Sequence, residues 1–102
     1  TAYSLSARGP VLSPRSRAVL LTPVSPHMLF DRSLVLDPTE RVEVEVLGHR
    51  AVTLSVDGQP AISLNEGDRM SVTASDHVAR FVRFGERRFH QILKAKFGLT
   101  DR

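Results

Sequence analysis

Apolar and polar residues alternate through the middle of the chain with a period of two, which is typical of strands with one solvated face. Residues 41–46 alternate valine with glutamate, and residues 52–56 and 69–75 repeat the pattern with other polar partners. Two shorter apolar runs, at residues 17–22 and 33–36, predict further strands, the first of them buried. The pattern therefore predicts a succession of short antiparallel strands.

The Asp57-Gly58 pair between two of these runs predicts a hairpin. A two-residue loop would pair Leu54 with Ala61 and place Ile62 on the face opposite to Leu54. A three-residue loop that includes Gln59 would pair Leu54 with Ile62 and keep the apolar residues on one face. Because register follows the buried face, we expect the longer loop, while the turn type stays open. Gln59 would then leave the ladder, and its side-chain amide would be free to contact a ligand.

The C-terminal third changes its pattern twice. Residues 78–84 are apolar on both sides, which predicts a strand covered on both faces or an edge strand that meets another element. Residues 86–97 then follow a helical period, with Gly98 where a helix C-cap favours glycine. One face of this helix carries Phe89, Ile92, Leu93 and Phe97. The predicted fold is mainly β, an antiparallel β-sandwich-like domain with a C-terminal helix, in one domain over residues 1–102.

The composition of the 102 residues, 41% hydrophobic and 25% charged, is that of an ordinary globular domain. No apolar run approaches the roughly 20 residues that a membrane-spanning helix needs. The absence of cysteine excludes disulfides, thiolate zinc sites and cysteine nucleophiles, and it fits a reducing compartment. The four histidines lack the spacing of metal ligands, so we expect no metal site. Because the chain begins with Thr1 instead of Met, we expect it to be processed or to be a piece of a longer chain.

The net charge of +3 arises from one segment, residues 80–96, in which six basic residues accompany a single acidic one. Phe81, Phe84 and Phe89 interleave with these cations, as aromatic residues do in proteins that bind single-stranded nucleic acid. A basic β-domain that binds nucleic acid is therefore one alternative. The phenylalanines fall at positions expected to face the core, however, so core packing with a solvated basic edge is the favoured interpretation.

The opening segment reads Thr1-Ala2-Tyr3-Ser4-Leu5-Ser6-Ala7, followed by Gly9-Pro10. These residue types predict a short helical turn or a structured loop that the Gly-Pro pair ends. With Pro26-His27 and Val56-Asp57-Gly58-Gln59, which follow in the same order, the segment resembles signature segments of the NAD kinases (ATP-NAD kinases). The resemblance continues through Glu66-Gly67-Asp68 and the aromatic, basic C-terminal helix, and so covers nearly the whole chain.

The resemblance implies that the chain is the C-terminal, NAD-binding part of an NAD kinase. Such enzymes phosphorylate the 2′-hydroxyl of the adenosine ribose of NAD to give NADP, with ATP or polyphosphate as the donor and a divalent metal, Mg, in the intact enzyme. In the family the opening segment lines the dinucleotide pocket, and a glutamine after the hairpin aspartate also contacts the dinucleotide. The implied contacts are Thr1, Ala2, Tyr3, Ser4, Leu5, Ser6 and Gln59. The alternative for the opening segment is a helical turn whose hydroxyls satisfy its own backbone.

Two departures from the family pattern bear on function. Arg8 stands where the family usually has glycine, which requires a backbone angle tolerable to arginine or a shifted turn, and would place a cation near a phosphate. The family's Gly-Gly-Asp-Gly-Thr motif, with its general-base aspartate, does not occur here, and Asn65-Glu66 falls in a turn. We therefore assign no catalytic residue. We expect an incomplete, inactive substrate-binding domain without its upstream catalytic α/β domain.

The resemblance also implies partners and a location. The intact enzyme is expected to be cytoplasmic and homo-oligomeric, as a homodimer or homotetramer, with no membrane or nucleic-acid partner. Unpaired strand edges of an incomplete sandwich would promote association with other copies or with the missing N-terminal domain. A lipid or sugar kinase of related architecture, with a different pocket, is the remaining alternative.

Overall fold

The computed structural model describes residues 2–27, 29–85 and 88–98 of the chain. It divides into two compact units, one formed by Thr1–Asp37 with Asp76–Arg102 and the other by Pro38–Ser75. Antiparallel strand pairs dominate the described residues, and a short helix lies near the C-terminus. The predicted mainly β fold with a C-terminal helix is therefore confirmed.

The first unit begins with helix α1 (Ala2–Ser6) and contains a two-stranded antiparallel sheet of β1 (Val19–Leu21) and β2 (Leu34–Leu36). In this sheet Val19 lies opposite Leu36 and Leu21 opposite Leu34. The predicted helical turn and both predicted strands are confirmed. The expected burial of the first strand is wrong, since β1 is half-buried to exposed because it pairs with only one neighbour in the described residues.

Helix α2 (Phe89–Phe97) ends the described part of the first unit and confirms the predicted C-terminal helix. Gly98 adopts φ 64° and ψ 26°, and its amide donates to the carbonyl of Lys94, as a left-handed cap requires. Glu86, in the predicted segment, lies outside the described residues. The predicted apolar face of α2 lines a cavity of about 300 Å³, which Leu5, Val11 and Leu12 also line.

The second unit contains β3 (Val42–Glu45), β4 (Val52–Val56), β5 (Gln59–Leu64) and β6 (Arg69–Val72). Strands β3 and β6 pair so that valine lies opposite apolar residues on one face, while on the other face Glu45 lies opposite Arg69. Val46 extends this ladder, because its amide donates to the Asp68 carbonyl and its carbonyl accepts from the Gly67 amide, both at 2.9 Å. Val46 is only 6% exposed and is the buried apolar residue among those described.

The loop of the β4–β5 hairpin is shorter than predicted, but the apolar residues lie on one face as predicted. Leu54 lies opposite Ile62, as expected, but Val56 lies opposite Gln59, so the loop consists of Asp57 and Gly58 alone. The expectation that Gln59 leaves the ladder is therefore wrong. The extra residue is accommodated by a bulge between the Ser55–Pro60 and Leu54–Ile62 pairs. A bulge beside a proline costs little, since proline has no amide hydrogen to donate to the ladder.

The prediction of a strand at residues 78–84 is wrong. This segment has no regular secondary structure, and its apolar side chains lie in solvent. Phe81 and Phe84 are 80% and 97% exposed, which also contradicts their expected core positions. Apolar residues form a buried strand only when another element pairs with it and covers it, and no described strand does so here. None of the helices in the described ranges is long and apolar enough to span a membrane.

Candidate functional site

A chain of three hydroxyls anchors α1 to the β1–β2 sheet. Ser4 Oγ lies 3.1 Å from Thr22 Oγ1, which in turn lies 3.0 Å from Ser33 Oγ. Thr22 directly follows β1 and Ser33 directly precedes β2, so the strand pairing brings these two hydroxyls together. All three side chains are half-buried. The hydrogen bonds fix the position of the helix that carries the predicted dinucleotide contacts.

The residues of α1 that were predicted to contact the dinucleotide lie in different surroundings. The Tyr3 side chain is 75% exposed, whereas Leu5 is half-buried and lines the apolar cavity against α2. Ser6 is exposed and lines a separate pocket at the end of the helix. Thr1 lies outside the described residues, and the side chain of Ala2 is not among those described. The exposed ring of Tyr3 and the hydroxyl of Ser6 are thus the described groups of α1 that a ligand could reach.

The pocket at the end of α1 has a volume of about 330 Å³. Its lining residues are Ser6, Ala7, Arg8, Pro23, Ser25, Pro26 and Asp31. Arg8 and Asp31 supply a guanidinium and a carboxylate, so the pocket can donate hydrogen bonds to an anion and accept them from a hydroxyl. Sequence reasoning identified Ser6 and considered Arg8, but it missed Asp31, for which no motif gave a signal.

Arg8 adopts φ 66°, a left-handed angle that normally favours glycine. The sequence predicted that an arginine here would need a tolerable backbone angle or a shifted turn. The chain takes the strained angle, at a cost on the order of 1 kcal/mol. The Arg8 amide donates to the Leu5 carbonyl at 3.1 Å, and the Gly9 amide donates to the Ser4 carbonyl at 2.7 Å. These hydrogen bonds end the helix and fix the backbone position from which the Arg8 side chain extends.

Gln59, the remaining predicted contact, lies in the second unit at the start of β5. Its backbone is opposite Val56 in the ladder, and its side chain is exposed. The predicted route to a free amide, through release from the ladder, is wrong. A strand residue next to a tight turn nevertheless keeps its side chain accessible, so Gln59 stays a prediction as a ligand contact.

The acidic turn that resembles a family motif has a structural role. The Asn65 amide donates to Asp68 Oδ2 at 2.7 Å, and the Asp68 amide donates to the Asn65 carbonyl at 3.0 Å. Glu66 pairs with His49 at 2.9 Å, with both side chains largely in solvent. Within the described ranges, no group of three or more His, Asp or Glu side chains is placed to hold a metal ion.

Comparison with known proteins supports the resemblance seen in the sequence. The family model of the ATP-NAD kinase C-terminal domain matches residues 1–84. A protein named NAD kinase from Desulforamulus reducens is 42% identical over 97 residues, covering 94% of this chain and 34% of that protein. One named NAD kinase 1 from Streptomyces coelicolor is 45% identical over 104 residues, covering 99% of this chain and 28% of the relative.

A third relative, named NAD kinase, from Heliobacterium modesticaldum, is 44% identical over 97 residues and is covered to 34% of its length. The chain thus spans about a third of the length of the curated relatives that it matches. The match of the family model over most of the 102 residues, together with these identities, is decisive for the family. The chain belongs to the ATP-NAD kinase C-terminal domain family.

Proposed function

We propose that this chain is the NAD-binding part of an NAD kinase. The intact enzyme would transfer a phosphoryl group from ATP or polyphosphate to the 2′-hydroxyl of the adenosine ribose of NAD, giving NADP. Membership of the ATP-NAD kinase C-terminal domain family and the names of the relatives support this proposal. Because the chain covers only about a third of those relatives, the complete reaction is proposed for the intact enzyme.

The observation that carries the proposal is the exposed Tyr3 ring on an anchored helix. Tyr3 is 75% exposed, and the next residue, Ser4, is held by the Thr22 hydroxyl at 3.1 Å. An aromatic ring on a fixed backbone offers a flat apolar face at little entropic cost, which suits the base of a dinucleotide. Free exposure of such a ring is otherwise unfavourable, so a bound base gives it an apolar partner.

The other predicted contacts keep their roles in the proposal. Ser6 and Arg8 would face the sugar and phosphate part of NAD from the pocket at the end of α1. Ser4 would act mainly by position, because its hydroxyl is already bonded to Thr22. Thr1, Ala2 and Leu5 would contribute further contacts from the same segment. Gln59, in the second unit, stays a proposed contact because of the family resemblance, and its side chain is exposed.

The proposal leaves phosphoryl transfer to the rest of the intact enzyme. Such transfer needs donor phosphates, a positioned hydroxyl and charge stabilisation, usually by a metal ion. The Gly-Gly-Asp-Gly-Thr motif with its catalytic aspartate does not occur in this sequence. The chain would therefore bind NAD without phosphorylating it. The donor site, the Mg ion, cytoplasmic location and assembly as a homodimer or homotetramer belong to the intact enzyme in this proposal.

Titration with NAD tests the assignment. We expect the full chain to bind NAD, and Tyr3→Ala to raise Kd by about tenfold, since stacking on one base contributes roughly 1–3 kcal/mol. Tyr3→Phe keeps the ring and should stay within about threefold of the parent, which separates stacking from hydrogen bonding. Lys96→Ala, at an exposed position of α2 that does not line the pocket at the end of α1, is the control and should leave Kd unchanged. Equal affinities for the parent and Tyr3→Ala would contradict the site, and no NAD binding by the parent would contradict the proposal.

One observation favours a second candidate, a nucleic-acid interface over residues 80–96. Phe81 and Phe84 are exposed beside Arg80 and Arg83, where bases could stack among cations. Its affinity for single-stranded DNA would fall steeply, by about 10³-fold or more between 50 and 200 mM salt if many phosphates are contacted. NAD binding, with only two phosphates, would change far less over the same range.

A further inference from the structure

The turn of the β4–β5 hairpin contains Asp57-Gly58, the only Asp-Gly sequence in the chain. Both residues are exposed. Gly58 has no side chain, and no heavy atom beyond its chain neighbours lies within 4 Å of the place that a Cβ would occupy. The backbone nitrogen of Gly58 is therefore unshielded, and the neighbouring Asp57 carboxyl group has open space in which to approach it.

Neither of these two groups is engaged elsewhere. In the part of the chain that the structure describes, the Asp57 carboxylate has no hydrogen-bond or ion-pair partner, and the Gly58 amide donates to no acceptor. Asp68, in the next turn, differs on this point, because its Oδ2 accepts from the Asn65 amide at 2.7 Å. Every other aspartate of the chain is also followed by a residue with a side chain, which crowds the nitrogen that a carboxyl group would have to reach.

The backbone of this turn is strained, and few contacts hold it. Asp57 adopts φ 52° and Gly58 adopts φ 77°, both in the left-handed region, which a residue with a Cβ enters only at a cost. Among the described strands, β4 and β5 pair only with each other. Because a two-stranded hairpin is marginally stable by itself, this turn can open locally while other elements stay folded. Opening lets the carboxyl carbon of Asp57 meet the Gly58 nitrogen.

We propose that Asp57 is converted to isoaspartate through a cyclic succinimide formed with Gly58. The Gly58 nitrogen attacks Cγ of Asp57, a carbon–nitrogen bond forms, and the carboxyl hydroxyl group leaves with the amide proton as water. Water then opens the ring. Attack at the main-chain carbonyl carbon of Asp57 breaks its bond to nitrogen and leaves the chain linked through Cγ, whereas attack at Cγ restores aspartate. One water is released and one is consumed, so no oxidant, reductant or other co-reactant is needed.

The modification changes the geometry at the start of β5. In isoaspartate the main chain runs through Cβ and Cγ, so it is longer by one carbon atom and the strained φ of Asp57 no longer limits the turn. The added atom lies beside the Val56–Gln59 pair that ends the ladder. We therefore expect this pair to open and Gln59 to move. A loss of NAD affinity through Gln59 rests on the proposed function, whereas the modification itself does not.

The test is incubation of the full chain at neutral pH and physiological temperature, followed by digestion with Asp-N protease, which cleaves before aspartate but not before isoaspartate. Cleavage at residue 57 should be lost progressively while cleavage at Asp68 is retained, and a species lighter by one water should appear in the mass spectrum. Gly58→Ala, whose Cβ crowds the nitrogen, should lower the rate severalfold. Gly67→Ala is the matched control, since this glycine also has a positive φ and open space around it, and it should leave the rate at residue 57 unchanged.

The same chain in denaturing urea separates the effect of the fold from that of the sequence. Formation of isoaspartate only in urea would show that the fold protects Asp57, and would overturn the proposal. Loss of cleavage at Asp68 as fast as at residue 57 would also overturn it, as would an unchanged rate in a Gly58→Ala chain that far-UV circular dichroism shows to be folded. In ¹H–¹⁵N spectra of the incubated chain, new amide signals of Val56 and Gln59 should grow as the cleavage is lost. None of these readouts involves NAD, so they test the modification independently of the proposed function.

Discussion

Gly9 and Ser4 approach each other so closely that only glycine fits at position 9. The Gly9 amide donates to the Ser4 carbonyl at 2.7 Å. A Cβ built on Gly9 would lie 2.7 Å from that carbonyl oxygen and would collide with Ser4 Oγ. Gly9 is buried, so neither backbone can move outward freely. This contact closes α1 and holds Ser4 where it meets Thr22.

Gly9→Ala should therefore lower the free energy of unfolding by about 1–3 kcal/mol, the usual cost of an overpacked site. Adding Ser4→Ala should restore part of the loss, because it removes the colliding hydroxyl and leaves the carbonyl contact. Urea unfolding of the parent, both single variants and the double variant measures this coupling. Strictly additive effects in the cycle would show that Ser4 Oγ is not the atom that excludes a side chain at position 9.

We expect the three hydrogen-bonded hydroxyls of Ser4, Thr22 and Ser33 to stabilise the fold only while the central residue, Thr22, keeps its hydroxyl. Thr22→Val keeps the shape of the side chain but leaves the half-buried hydroxyls of Ser4 and Ser33 without this partner. We expect a loss of about 1–2 kcal/mol in the free energy of unfolding. Thr53→Val, an exposed threonine of β4, is the control and should stay within about 0.5 kcal/mol of the parent. Urea unfolding measures both, and a loss equal to that of the control would mean that the hydroxyl chain contributes nothing.

The hairpin shows which part of a fold a sequence determines and which part it leaves open. The apolar face predicted the pairing of Leu54 with Ile62 correctly, because burial selects the register. The same argument placed the extra residue in the loop at Gln59, whereas the chain places it in a bulge next to Pro60. Both solutions keep the same face together, so hydrophobic pattern alone cannot distinguish them. The choice depends on backbone angles, with Asp57 at φ 52° and Gly58 at φ 77°.

The positive φ angles of Asp57 and Gly58 predict how substitutions in the turn change the free energy of unfolding. Gly58→Ala should cost about 1 kcal/mol, since no heavy atom beyond its chain neighbours lies within 4 Å of the added Cβ and the penalty comes from φ alone. Asp57→Asn should be neutral within about 0.5 kcal/mol, because asparagine tolerates the left-handed region as well as aspartate does. Thermal and urea unfolding of the two variants give the comparison. A neutral Gly58→Ala would indicate a three-residue loop in solution.

The candidate site was predictable where a local motif carries it and not where tertiary contacts form it. The residue types of the opening segment and its resemblance to a family predicted Tyr3 and Ser6 as ligand contacts. Thr22 and Ser33 were not identified as partners, because they come together only through the pairing of β1 with β2. The sequence showed residues 80–96 only as a basic segment, because Arg15, which lines one cavity with Arg83 and Arg88, comes from a distant part of the chain.

The exposed phenylalanines should affect association more than folding. Phe81 and Phe84 are 80% and 97% exposed, so replacing both by serine should change the free energy of unfolding by less than about 0.5 kcal/mol. Phe89 is half-buried against the apolar cavity, and Phe89→Ser should cost about 2–4 kcal/mol. Exposed apolar surface favours contact between copies, so Phe81→Ser with Phe84→Ser should lower self-association in sedimentation velocity at high concentration. A parent chain that associates no more than this double variant would assign oligomer formation to other surfaces.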